Sequence, residues 1–194
     1  MAYPILAAKH SRYVDEVYLS TDDAEIRATG ESMGATFIER PQFLASAEAL
    51  AVDAYTHGYE EIKRSRGEPE FLVLLFCNGA TVLSGYIDEA VEILRANRAL
   101  DSVTTVSRYD MWSPLRARKI GPDGNLDPFI EPSYFKEVTC DRASQGAVWY
   151  ADCSMFVVRP HCMDQMNGQP PFHWLGKRVH PIQQWGGMDI DYHW

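Results

Sequence analysis

The sequence predicts an α/β fold of three layers, a mostly parallel sheet between two layers of helices, with one segment projecting from it. Three observations lead there. Strand-like and helix-like stretches alternate through the first half of the chain, which is the pattern of parallel strands joined by crossover helices. Phe71–Phe76 (FLVLLF) is a continuous apolar run of the length expected for a strand covered on both faces. After Tyr109 the alternation stops and turn signals take over.

Taken in order, Glu16–Ser20 (EVYLS) reads as a strand. The stretch that follows, DDAEIRATGESMG, reads as a helix that begins on Asp22, with Glu25 three positions on, and stops at Gly34. ATFIE is a short strand. A long helix is expected from Ala47 to about Arg66, with Leu50, Ala54, His57 and Ile62 on one stripe. YIDEAVEILRAN has the apolar period of an amphipathic helix, and SVTTVS is a β-branched strand. Residues 109–150 carry turns at Ser113-Pro114 and Pro122-Asp123-Gly124, two further prolines, and the aromatic residues Trp112, Phe129, Tyr134 and Phe135. A projection this aromatic is expected to meet a second copy of the chain. The sheet then resumes with SMFVVRP, a last helix follows Pro160, and KRVHPIQQ leads to the end.

A chain of 194 residues, 46% of them hydrophobic, fits one domain spanning 1–194 better than two. The net charge of −9 argues against a nucleic-acid polymer, whose binding depends on many cationic contacts, but leaves a small nucleotide open. No apolar run is long enough to span a bilayer and no basic leader is visible, so no membrane association is expected and a cytoplasmic location is. The four cysteines, Cys77, Cys140, Cys153 and Cys162, lack metal-type spacing and are expected to be reduced thiols.

Chemistry first suggests itself at the close of the sequence, GGMDIDYHW. In an extended chain Asp189 and Asp191 share one face, and two neighbouring carboxylates repel. Water, a basic side chain or a hard divalent cation such as Mg²⁺ can offset that repulsion. The residues alone leave two solvated aspartates and a metal site both open.

VYLSTDDAEIRATGESMGA, IERPQFLA, LDSVTTVS and the closing MDID, in that order and at similar spacings, resemble the cytidylyltransferases that activate nonulosonic acids, the CMP-sialic acid synthetases and their legionaminate and pseudaminate relatives. The resemblance covers most of the chain. It implies a Rossmann-like nucleotidyltransferase fold, a homodimer or homotetramer, and transfer of CMP from CTP to a sialic-acid-like sugar acid with release of pyrophosphate. It also implies that Asp189 and Asp191 hold the catalytic Mg²⁺, that Arg40 lies beside the nucleotide, and that Arg116 and Arg142 face the sugar acid.

Two departures accompany it. The family's opening strand and Gly-Ser-Lys-Gly type loop, whose backbone N–H groups bind triphosphate, have no counterpart, so MAYPILAAKHSRYVDEVYLS is expected to be the helix after that loop. Little or no transferase activity is expected of the chain without it. After the central strand, the family's Gln-Pro-Thr-Ser-Pro run is replaced by Phe76-Cys77-Asn78-Gly79-Ala80; Asn78 either supplies a replacement amide to the sugar or only turns the loop. Sialic acid itself is therefore in doubt as substrate. A 3-deoxy-octulosonate type of nucleotidyltransferase and a non-enzymatic family member stay open as alternatives. Structural readings also stand beside the functional ones: Asp22 as a helix cap with Asp23 at the helix's positive end, Arg40 in a surface ion pair, His57 in a core or interface, and Arg116 in a solvated basic cluster with Arg118 and Lys119.

Overall fold

The computed structural model of the chain describes residues 1–46, 48–135, 139–188 and 190. In chain order the elements are α1 (Ala2–Lys9), β1 (Tyr18–Thr21), α2 (Ala24–Ser32), β2 (Thr36–Glu39), α3 (Ala51–Arg66), β3 (Leu72–Leu74), α4 (Ser84–Ala96), β4 (Ser102–Arg108), β5 (Arg118–Ile120), β6 (Leu126–Pro128), α5 (Arg142–Gln145), β7 (Trp149–Val158), α6 (Pro160–Gln165) and β8 (Val179–Gln184). The three-layer expectation holds. Ala47, the expected start of the long helix, lies outside the described residues; α3 begins at Ala51.

The main sheet has the order β3-β7-β4-β8. β3, β4 and β8 point the same way, and β7 runs against β3 and β4. That one reversal has a simple cause: β4 leaves the sheet into the projecting segment and the chain returns beside it as β7, which makes the pair a very long hairpin. β1 and β2 form a separate parallel pair. Along β3 and β7 the side chains alternate between two cores. Val73, Val103, Met155 and Val157 pack with Ile87, Ala90, Val91 and Leu94 of α4. Leu72, Leu74, Phe156 and Val158 pack on the other face with Tyr59 of α3, Cys162 and Met163 of α6, and Trp174. The apolar run at 71–76 is thus covered on both sides, as its composition predicted.

Local chemistry sets the element ends. α2 is capped by Asp23, whose carboxylate accepts the N–H groups of Glu25 (2.9 Å) and Ile26 (2.8 Å), so the cap lies one residue beyond the expected Asp22. The reason is spatial: the N–H of Asp23 is held by Thr21 Oγ1, which extends the exit from β1 by one residue. Gly34 ends the helix with φ +81°, a left-handed turn that a side chain would strain. In the projecting segment, β5 and β6 form a hairpin around Pro122-Asp123-Gly124, and the segment exposes Trp112, Ile120, Leu126, Phe129 and Tyr134.

β1 and β3 do not pair. Between their facing edges lies a cavity of about 890 Å³, with α1 on one side and α3 on the other. Strand order departs in opposite directions from this gap, toward β2 on one side and toward β8 on the other. In open α/β sheets such a switch point is where ligands bind, at the carboxyl ends of the strands.

Candidate active site at the carboxyl ends of the strands

The residues leaving β1 and β3, Thr21 to Asp23 and Phe76 to Cys77, border the same cavity, and Arg40 reaches it from the end of β2. The Arg40 guanidinium donates to the Ser20 carbonyl (2.6 Å) and to Ser20 Oγ (3.3 Å). This anchors its cationic group at the mouth of the cleft rather than in a surface ion pair.

Just past Cys77, the end of the chain is stitched to the loop after β3. Ala80 N–H donates to the Met188 carbonyl (3.0 Å), Ile190 N–H to the Asn78 carbonyl (3.2 Å), and Met188 N–H to Thr81 Oγ1 (2.9 Å). Met188 and Ile190 bracket Asp189; Asp189 and Asp191 themselves lie outside the described residues. The Asn78 backbone thus receives the tail, which gives this residue a structural task in addition to the turn at Gly79.

Beneath the tail lies a polar cluster that sequence reasoning did not assign. Asp152 accepts from Thr105 Oγ1 (2.7 Å), Ser107 Oγ (2.5 Å), Gln184 Nε2 (2.7 Å) and the N–H of Ser154 (3.2 Å). Ser107 Oγ in turn accepts from Gly187 N–H (3.0 Å). Asp152 owes its position to a bulge in β7: register with β4 shifts between Thr104 and Val106, and Cys153 takes φ +60°. The available signal was hydroxyl and carboxyl residues inside otherwise buried strands, in SVTTVS and DCS, since buried polar groups need partners.

Arg116 and Arg142 sit elsewhere, at the base of the projecting segment. Arg116 donates to Gln145 Oε1 (3.0 Å) and to the Cys140 carbonyl (3.4 Å). Arg142 donates to Asp110 (3.1 Å), which also accepts from Arg108 and from Val148 N–H. The Arg108 side chain first, then the Val148 N–H and Arg142, hold the Asp110 carboxyl well below the usual carboxylate range. Neither arginine borders the cleft between β1 and β3. His57 lines a separate hollow of about 550 Å³ between β2 and α3.

Among the described residues, three side chains able to hold a metal together meet only at Asp101, His161 and Cys162, around the amino end of β4 and away from the cleft. That group is committed to structure. Asp101 accepts the N–H groups of Lys177 (2.7 Å) and Arg178 (2.9 Å), and burial, with Asp101 nearby, pushes the Cys162 thiol up to about 11. The twin tail aspartates offer only carboxylate oxygens, the hard ligands that Mg²⁺ takes.

No protein-family model matches the chain. It is 28% identical over 118 residues, 60% of its length, to the pseudaminic acid cytidylyltransferase and UDP-2,4-diacetamido-2,4,6-trideoxy-beta-L-altropyranose hydrolase of Helicobacter pylori. The chain spans 22% of the length of that relative. Among solved structures it superposes on CMP:2-keto-3-deoxy-manno-octonic acid synthetase complexed with CTP, with a TM-score of 0.65, 12% identity, and coverage of 98% of this chain and 81% of that one. It also superposes on glucosyl-3-phosphoglycerate synthase from Mycobacterium tuberculosis in complex with phosphoglyceric acid, with a TM-score of 0.58, 8% identity, and coverage of 98% and 68%. The resemblance read from the sequence is therefore borne out, and so is the Rossmann-like α/β fold: the chain is similar to a pseudaminic acid cytidylyltransferase over 60% of its length and shares its fold with both solved structures.

Proposed function

We propose, from this likeness to the cytidylyltransferases, that the chain is a CMP-sugar-acid synthetase domain. It takes CTP and a nonulosonic sugar acid, and the anomeric hydroxyl displaces pyrophosphate at the α-phosphorus. The observation that supports the reading is the docking of the tail on the loop after β3 and on β4, where Met188 and Ile190 bond to the 78–81 stretch and Gly187 to Ser107. Asp189 and Asp191 are assigned the Mg²⁺. When bound, that ion neutralises charge that builds on the phosphoryl oxygens. Arg40, tethered at Ser20, supplies a fixed cation at the nucleotide side, while Asp152 and its hydroxyl partners hold the tail in place. Asn78, Arg116 and Arg142 are kept as sugar-side candidates, the two arginines reaching a carboxylate only through movement of the projecting segment or from a second copy of the chain.

Turnover by the 194-residue chain is proposed to be low, since no Gly-Ser-Lys-Gly type loop is in it to hold the triphosphate. Binding and turnover are therefore measured separately. Calorimetry is expected to show Mg²⁺-dependent binding of CTP in preference to ATP, GTP and UTP, lost in Asp189→Ala and Asp191→Ala. Pyrophosphate release with CTP, Mg²⁺ and a panel of nonulosonic acids is expected to be slow. No CTP binding at millimolar concentration would overturn the assignment, and brisk pyrophosphate release would overturn the low turnover. The superposition on the 2-keto-3-deoxy-manno-octonic acid enzyme favours one second reading, in which that eight-carbon acid is the acceptor, so it belongs in the panel.

A further inference from the structure

β2 has β1 along one edge and, among the described residues, no strand along the other. The Thr36 N–H donates to the Val17 carbonyl (2.7 Å) and the Arg40 N–H to the Thr21 carbonyl (3.4 Å). In a parallel ladder this alternation turns the peptide groups of Thr36, Ile38 and Arg40 toward β1 and those of Phe37 and Glu39 outward. The outward edge borders the hollow of about 550 Å³, which β2 and Tyr18 line on the sheet side and His57, Glu61 and Ser65 on the α3 side. Those three recur every fourth residue and so share one face of the helix. The Phe37 ring is taken up by α2, with the Arg27 guanidinium 3.9 Å from its centroid, so what Phe37 offers the hollow is its peptide group. The polar groups here divide into spent and free. Tyr18 and Thr36 give their hydroxyl protons to Glu16, Ser65 gives its own to the Glu61 carbonyl, and Glu61 Oε2 pairs with Arg64. His57 Nδ1 is buried and, among the described residues, has no hydrogen-bond partner, although a nitrogen so placed calls for one. The Glu39 carboxylate is exposed and likewise unpaired among the described residues.

We propose that the hollow between β2 and α3 is a binding site for a small guanidinium compound, held by His57 Nδ1, by the carboxylates of Glu39 and Glu61 and by the outward carbonyls of Phe37 and Glu39. The class follows from the free groups, which are mainly acceptors: carbonyls, carboxylates, and an imidazole nitrogen that accepts when the proton sits on Nε2. A guanidinium presents its N–H groups as a planar fork and so meets acceptors in several directions at once, where an ammonium is a compact point charge. The Tyr18 ring adds an aromatic wall of the kind that attracts such a cation. Glu39 and Glu61 disfavour an anion in the same place. The site lies on the outer side of β2, across the β1–β2 pair from the cleft, and the inference is independent of the catalytic reading.

The test needs no activity. Agmatine, a guanidinium on a short alkyl amine, is titrated into the chain by calorimetry, and putrescine, a diamine of the same alkyl length, is the comparison. Agmatine is expected to bind with a Kd of about 0.1–1 mM, and putrescine at least about 10-fold more weakly. In nuclear magnetic resonance the shifts are expected to centre on the Phe37 and Glu39 amides and the His57 ring. Glu39→Gln, at an exposed position, should leave Tm within about 1–2 °C and weaken agmatine about 5–10-fold. His57→Phe removes the nitrogen and fills the hollow, and should abolish binding; should that variant fold poorly, Glu39→Gln and the shift map decide alone. No agmatine binding at about 10 mM would overturn the proposal. So would putrescine binding as tightly as agmatine, binding undiminished in Glu39→Gln, or shifts centred on the cleft between β1 and β3.

Discussion

Replacing Gly187 by alanine tests how the tail is held. The new Cβ would lie 2.3 Å from Asp152 Cβ, 2.6 Å from its Cγ and 2.7 Å from its carbonyl oxygen, where carbon contacts normally sit at about 3.5–4.0 Å. Something must move by about an ångström. Asp152 cannot swing away without abandoning Thr105, Ser107 and Gln184, and the carbonyl belongs to the backbone of β7. The cheaper response is for the tail to lift, giving up the Gly187 bond to Ser107 and the Met188 bond to Thr81. Two hydrogen bonds at about 1 kcal/mol each, or overpacking at about 1–3 kcal/mol, both put the cost near 2 kcal/mol. For a chain of this size that lowers Tm by roughly 4–8 °C. Gly186→Ala is the control, because its Cβ would meet only the Tyr109 hydroxyl, at 3.2 Å, and should stay within about 0.5 kcal/mol. Urea unfolding followed by tryptophan fluorescence reads both, and Trp185, fully exposed, stands beside the substitution. Equal, small losses in the two variants would refute the docking of the tail on Asp152.

Four further outcomes are expected. Phe156→Ala empties a site where the ring meets Phe76, Phe172 and Trp174 at 5.5–5.8 Å, and should cost about 3–5 kcal/mol by urea unfolding. Asp110→Asn tests the Arg108 and Arg142 cluster. The folded carboxyl titrates below its unfolded value, so its stabilising effect is complete above the unfolded pKa of about 4 and is lost as pH falls toward the folded one. The Tm gap between wild type and variant should then be constant near neutrality and shrink below about pH 4; a gap unchanged to pH 2 would count against the ion cluster. Arg40→Lys removes the fork that holds Ser20 and should weaken CTP binding by about 10-fold in calorimetry with little change in Tm. Phe129→Asp, on the exposed apolar face of the projecting hairpin, should shift sedimentation toward monomer if two copies meet there, as we propose.

Elements whose signal is local were legible in the sequence. The run at 71–76 became a strand with Leu72 and Leu74 on one core and Val73 on the other, because period-two burial needs no knowledge of the partner strand. Gly34 ended its helix because a left-handed residue marks that position wherever it occurs. The cap fell on Asp23 instead of Asp22, since both residues have the right chemistry and only the Thr21 hydroxyl, placed by β1, decides between them. Arg142 shows a similar limit: its pairing with Asp110 joins residues 32 apart, and sequence spacing carries no trace of it. Nor was the gap in the sheet legible as a gap, because an empty edge appears only when β1 and β3 are seen to face each other unpaired.

Asp152 is the case where local and global information part most sharply, and it bears on the chemistry proposed for the tail. A carboxylate has about four lone-pair sites, and here Thr105, Ser107, Ser154 and Gln184 each direct a donor at it. Those partners exist only because the bulge at Cys153 rotates Asp152 toward β4 and β8. A carboxylate so committed makes a poor metal ligand, since every donor it released would be left buried without a partner. It serves instead as a fixed post that orients Ser107, and Ser107 receives the tail through Gly187. Under the proposed reading the metal role stays with Asp189 and Asp191, and the affinity proposed for Mg²⁺ would depend on how firmly the preceding residues are docked. Loosening the tail at Gly187 should therefore weaken Mg²⁺-dependent CTP binding as well as stability, although the substitution touches neither aspartate; undiminished binding in Gly187→Ala would separate the two and break this link.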